Sequence, residues 1–483
     1  MKNKFAYTAI IIASLSLSAC KDFLTQEPPL SQSTELTLST YEGLDKSTAG
    51  AYSYLASSGW YGGDWVLSCE MRSGNGEKNL GHNSNRYATE LNWNYLSDAT
   101  SAQWQYTYYT VAKCNNVIDN LAGKESASVS SQDLNNLKAE CLFLRALSHF
   151  DCVRTYAQPY SYVKAEEKDH PGVTYLGVPY IYHTNPSAKP ARETVKKVYE
   201  NIVADLLEAE SIIDPSYCRK NFTSPKASVT LPAIQGLLSR VYLYMEDWDN
   251  SAIYASKVIG NSAYSLYSKD RYKTAWKEDK GAEEVIFEAY IDLSNYSNLD
   301  VCYMTNPAGA YGDCLCSAEL YALYEDGDVR KELYTEDKNA GHCSGHWTLK
   351  YSGKGLSDGV DANNTVIIRL SEMYLNRAEA GIHGAQGVDY LADLNAVAEL
   401  RGASKYPSAT IADIQKERRK ELAWEGHYLY DLARWQKGVV RTADAFLTKD
   451  NANIPFPSYK WALPIPKSER EVNKNLEQNP EWK

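Results

Sequence analysis

Side chains able to do chemistry fall into three groups along the chain. Glu421 and Glu425 lie four apart in a helical pattern, a spacing that can bring two carboxylates near the ~5 Å separation used in retaining glycoside hydrolysis. Arg418, Arg419 and Lys420 stand beside them, so an ion-paired helix face is the plainer expectation. Cys314, Cys316, His342, Cys343 and His346 offer soft ligands, but their spacing matches no compact zinc finger. The third group is aromatic. RYATELNWNY at 86–95 sets Trp93 and Tyr95 beside Asn92 and Asn94, pairing flat rings with side-chain amides. That combination suits a ligand with C–H faces and hydroxyl rims, such as a sugar; the bland alternative is that Trp93 plugs the joint between this loop and the helix after it.

Further rings lie at Tyr290, Tyr296, Tyr303 and Tyr311, with Trp60, Tyr61 and Trp65 as a lesser set around Gly62 and Gly63. Trp104, at helical intervals from Tyr108, Val111 and Ile118, is expected to pack inside. No EF-hand or phosphate-binding glycine loop is present, and no nucleophile with a neighbouring base can be argued. No cofactor is expected, although the oxygen-rich stretch 358–364 has the donors for calcium.

The elements that must position these rings are mostly helices. Apolar periodicity predicts them over 131–156, 194–213, 230–244, 250–259, 368–381, 388–401 and 411–435. They come in pairs, and 368–401 spans thirty-four residues, the length of one tetratricopeptide unit. The predicted fold is mainly α, with helical scaffold at about 40–58, 101–260 and 365–436. Loop-rich insertions at about 59–98 and 264–364 are expected to carry the ligand.

Composition narrows the partner. The chain has 483 residues and a formal charge of −11, with 61 acidic against 50 basic side chains, which disfavours nucleic acid. It holds 38 Tyr and 11 Trp but only 8 Phe, so most rings have a polar handle. Residues 1–20 read as a lipoprotein signal: Lys2 and Lys4, a short apolar run, then LSAC ending on Cys20, the expected lipid-bearing residue. Residues 21–39 read as a tether, and 40–483 as a single body. Nine of the ten cysteines follow Cys20; Cys141 and Cys152 would lie roughly 16 Å apart on one helix, too far to bridge.

Several blocks together resemble the SusD/RagB family of nutrient-binding lipoproteins. They are KDFLTQEPP at 21–29, AECLFLRALSHFDCVRTYAQPY at 139–160 with GVPY at 177–180, ARETVKKVYENIVADLLEA at 191–209, LLSRVYLYMEDWDNSA at 237–252, IRLSEMYLNRAEA at 368–380, ERRKELAWEGHYLYDLARW at 417–435 and ALPIPKSEREVNKNLEQNP at 462–480. The resemblance implies a superhelix of tetratricopeptide-like pairs with an irregular ligand-binding lobe. It also implies anchoring in the outer membrane facing the exterior, capture of oligosaccharide without cleavage, and delivery to a SusC-like TonB-dependent transporter. Peptide cargo on the same fold, and a surface glycoside hydrolase, are the alternatives.

Overall fold

The computed structural model describes residues 34–79, 85–292, 299–303, 311–336, 345–354, 362–442, 447 and 449–482. Cys20 and Tyr296, and His342 and Cys343 of the soft-ligand group, lie outside them.

The fold is mainly α. Its centre is the 26-residue helix Ser131–Tyr156, started by a capping box in which Ser130 and Asp133 satisfy each other's backbone N–H groups. Nearly every side chain from Leu134 onward is buried, because neighbours flank the helix on both sides. Ala102–Asn120 packs on one flank and Val195–Ile212 on the other, and Tyr41–Leu55 packs on Ala102–Asn120. The path continues through Leu231–Tyr244, Trp248–Ile259, Leu370–Ile382, Tyr390–Leu400 and Ile411–Leu422, each lying against a preceding member. Close approach is bought with small residues: a Cβ at Gly381 would meet the Val388 side chain at 2.5 Å, and one at Gly236 would meet Ile368 at 2.8 Å.

Buried ion pairs cross-link the stack. Arg145 of the central helix makes a two-point contact with Asp205, both bonds 2.7 Å, and also reaches Asn115 at 2.8 Å. Arg240 grips Glu372, and Arg434 grips Glu379, in the same forked way at 2.6 Å.

The insertions pair with each other. Gly76–Lys78 lies antiparallel to Cys314–Cys316, with Gly76 opposite Cys316, and His346–Thr348 and Tyr334–Glu336 complete a four-stranded sheet. The first insertion also holds a helix, Asp64–Ser73, where a loop is expected from sequence; glycines bound it at both ends and hide its period. A second ladder joins Val285–Ala289 to Thr365–Arg369, where the insertion returns to the scaffold.

On the first of these strands, burial pushes the Glu288 carboxyl up to about 7 despite bonds from Ser224 and Asn364 and the nearby Lys354 and Lys226. The folded chain therefore keeps a proton that the unfolded chain releases, so stability falls as pH rises from 4.5 to 7. Glu288→Gln is expected to flatten that slope by up to about 1.4 kcal/mol per pH unit, read from urea midpoints across the window.

Candidate functional site

Glu421 and Glu425 belong to the core. Both are buried, and Arg369 bonds to Glu284, Glu421 and Glu425 at 2.9, 2.6 and 2.7 Å. Arg401 and Arg330 add bonds to Glu421, and Lys350 adds one to Glu425. Burial works to raise the Glu421 carboxyl, but Arg401, Arg369 and Arg330 together hold it well below the usual range. A carboxylate so enclosed has no room for substrate. The ion-paired reading of this helix face therefore holds, with the addition that the face is interior.

The described members of the soft-ligand group, Cys314, Cys316 and His346, do not gather into a metal cluster. Cys314 and Cys316 are strand residues with buried thiols, and His346 faces Cys316 across the ladder, stacked on Tyr321 and paired with Glu336. Among the described residues no cluster has the composition to hold a metal. The described end of the oxygen-rich stretch is used internally: Asn363 accepts from the Gly353 N–H, and Asn364 joins Ile291 to Asp279.

Trp93 requires a correction. It is 0% exposed and serves as no platform. Its indole N–H donates to the Arg72 carbonyl at 3.1 Å, its ring meets Trp461 edge-on at 4.9 Å, and the Arg72 guanidinium covers it at 4.4 Å. The left-handed backbone at Trp93, φ 51°, turns the ring inward. Tyr303 requires the same correction, being 0% exposed between Tyr351 and Trp424. Trp60, Tyr61 and Trp65 are also buried; Trp60 donates to Asp151, and Trp65 stacks on Tyr430 with centroids 5.0 Å apart. Trp104 is buried between Tyr108 and Tyr156, as its spacing predicts.

Tyr95, two residues beyond Trp93, stands at a cavity of about 330 Å³. Asp64, Ser68 and Arg72 form one polar stripe along the short helix Asp64–Ser73, at intervals of four, and supply one wall. Arg86, Tyr87, Glu90 and Tyr95 supply another, and Tyr156 and Tyr430 contribute from the scaffold. Asn85, Tyr87 and Trp93 all take left-handed backbone, at φ 60°, 55° and 51°; such concentrated strain is typical of segments shaped for a ligand.

The cavity has hydrogen-bonding capacity to spare. Arg72 is 2% exposed, its Nε–H is buried without a hydrogen-bond partner, and the side chain pairs with no carboxylate among the described residues. Leaving such a cation unbonded is costly, and hydroxyls entering the cavity would relieve it. The Tyr95 hydroxyl is likewise unbonded; Ser68 lies near enough to influence its titration but not in ordinary hydrogen-bond geometry. Asp64 accepts from the Tyr87 hydroxyl at 2.9 Å, and burial raises both the Asp64 and Glu90 carboxyls.

The other sequence-predicted residues divide. Tyr311 stacks under the Arg86 guanidinium at 3.6 Å while Arg86 pairs with Asp313 at 3.2 Å, so the second insertion reaches the rim. Asn92 is spent inside its own helical turn, donating to the Ala88 carbonyl, and Asn94 is exposed. Tyr290 lines a separate cavity of about 230 Å³, its hydroxyl on Asp279 and Lys354 over its ring. Arg72 and Asp64 escape the sequence reading, although their four-residue spacing with Ser68 is a visible signal.

Comparison with known proteins places the fold. The family described as "Starch-binding associating with outer membrane" (SusD-like) matches residues 22–243, and the SusD family matches 324–482. The chain is 24% identical to a SusD-like protein of Bacteroides ovatus, over 90% of this chain and 83% of that one. A SusD superfamily protein from Bacteroides thetaiotaomicron superposes with a TM-score of 0.80 at 28% identity, covering 91% of this chain and 100% of the other. Surface glycan-binding protein A from the same organism shares the fold, with a TM-score of 0.76 at 20% identity over 92% and 100% of the two chains.

Proposed function

Because the chain belongs to the SusD/RagB family, we propose that the cavity between Arg72 and Tyr95 captures an oligosaccharide without cleaving it. The observation that carries this reading is the buried Arg72 Nε–H and the Tyr95 hydroxyl, both without a partner among the described residues, in a ring-lined cavity. Arg72 and Tyr95 supply donors, Asp64 and Glu90 supply acceptors, and the faces of Tyr87 and Tyr95 supply stacking surface. Sugar hydroxyls, each both donor and acceptor, match such a mixed wall. The Arg86–Tyr311 stack forms a second, more open ledge beside it.

In this reading residues 1–20 direct export, Cys20 carries the lipid and the segment after it tethers the body to the outer surface; Thr34–Ser39, expected within that tether of 21–39, instead forms a helix packed on Tyr41–Leu55. Among the described residues no helix is long and apolar enough to cross a membrane. The helical stack would present the loaded cavity to a SusC-like TonB-dependent transporter.

The test is a glycan-array screen with a peptide panel alongside, followed by calorimetry on the hits. Tyr95→Ala is expected to weaken saccharide binding about ten- to a hundredfold, and Tyr95→Phe by less. Unchanged affinity in Tyr95→Ala would remove the cavity from consideration. Release of new reducing ends from any bound glycan would contradict the non-hydrolytic role, and binding confined to the peptides would change the cargo.

A further inference from the structure

On helix Ala102–Asn120, Ala102, Tyr106 and Tyr109 fall at intervals of four and three, on one face. Ala102 lines the cavity just described, and the face carries the two rings away from it over about 10 Å. Tyr54, from the last turn of Tyr41–Leu55, joins them. Its ring centroid is 6.1 Å from Tyr106 and 5.5 Å from Tyr109, and the latter two are 6.3 Å apart. The three rings form one cluster at the protein surface.

One contact ties this cluster to the cavity. A Cβ placed on Gly59 would meet the Ala102 Cβ at 2.7 Å and the Tyr106 ring at 2.9 Å, so the same bare stretch of backbone supports the cavity rim and the first ring. Tyr109, 44% exposed, has its orientation fixed by Gln105, whose amide donates to the hydroxyl at 2.6 Å. Among the described residues the Tyr54 and Tyr106 hydroxyls make no hydrogen bond, which leaves the outer edge of the cluster ready for a polar ligand. Tyr106 rests against the hydrophobic core, while Tyr109 projects beyond the side of the helix sealed by Trp104, Thr107 and Val111.

We infer that Tyr54, Tyr106 and Tyr109 form a second subsite that stacks the outlying units of a longer saccharide whose end lies in the cavity, so the protein selects by chain length. This rests on the saccharide reading of the cavity. Continuity through Ala102 and Gly59 favours the same ligand over a separate protein partner.

The experiment is calorimetry on the intact protein with malto-, xylo- and mannooligosaccharides, from disaccharide to octasaccharide. Affinity is expected to rise with length. Tyr109→Ala should lower affinity about three- to tenfold for the longer members and leave the shortest binder unchanged, while Tyr109→Phe keeps the gain. Tyr109 is exposed enough for either change to leave folding intact. Equal weakening at all lengths, or none at any length, would overturn the subsite. If Tyr95→Ala weakens binding while Tyr109→Ala has no effect, only the extension fails. If no member of the three series binds, both readings fail.

Discussion

Replacing Arg369 with methionine is expected to cost about 3–5 kcal/mol of unfolding free energy. Arg369 is 1% exposed and bonds three carboxylates, Glu284, Glu421 and Glu425, while also donating to the Glu421 carbonyl at 2.6 Å. Methionine fills much of the volume but leaves those carboxylates with one cation fewer in a medium that screens poorly. The remaining Arg401, Arg330 and Lys350 cannot reach every vacated oxygen. Urea unfolding of the purified variant would show the loss as a lower midpoint at an unchanged slope. The control is Lys331→Met, whose pair with Asp326 is solvent-exposed and should matter little. A variant at Arg369 as stable as the parent would mean that the network is dispensable.

Trp93→Ala is expected to cost a similar amount, about 3–5 kcal/mol, by opening a cavity in the core and orphaning the Arg72 carbonyl. It should also loosen the Arg72 guanidinium that rests on the indole, so saccharide binding falls as a secondary effect. The two measurements separate the possible roles of this ring. A surface platform would lose binding and keep its stability; a core residue loses stability first. Unfolding midpoints compared with calorimetry on the same preparation would decide it.

The contrast between Trp93 and Tyr95 shows where sequence reading stops. The helical scaffold is legible because one-sided burial imprints a repeat near 3.6, clear at Val195–Ile212 and Trp248–Ile259, whereas Ser131–Tyr156, buried on both sides, shows two apolar stripes. The segment NWNY has no such repeat. Which of its two rings turns inward depends on one left-handed residue and on Trp461, a partner far along the chain. The Asp64–Ser73 helix was missed for a related reason: at ten residues between glycines it is too short for its period to stand out, although its polar stripe is what builds the cavity wall. The buried charge network was only half visible. The basic residues beside Glu421 announced ion pairing, but its chief partners, Arg369, Arg401 and Arg330, come from three other segments that folding alone brings together.

The cavity borrows its walls from distant stretches: Asp64 to Arg72 near the start, Tyr156 at the end of the long helix Ser131–Tyr156, Tyr430 and Leu463 far along the chain. No fragment of the polypeptide owns it. On the proposed reading, an incomplete or clipped molecule lacks part of the wall and binds no saccharide until these distant stretches have packed together.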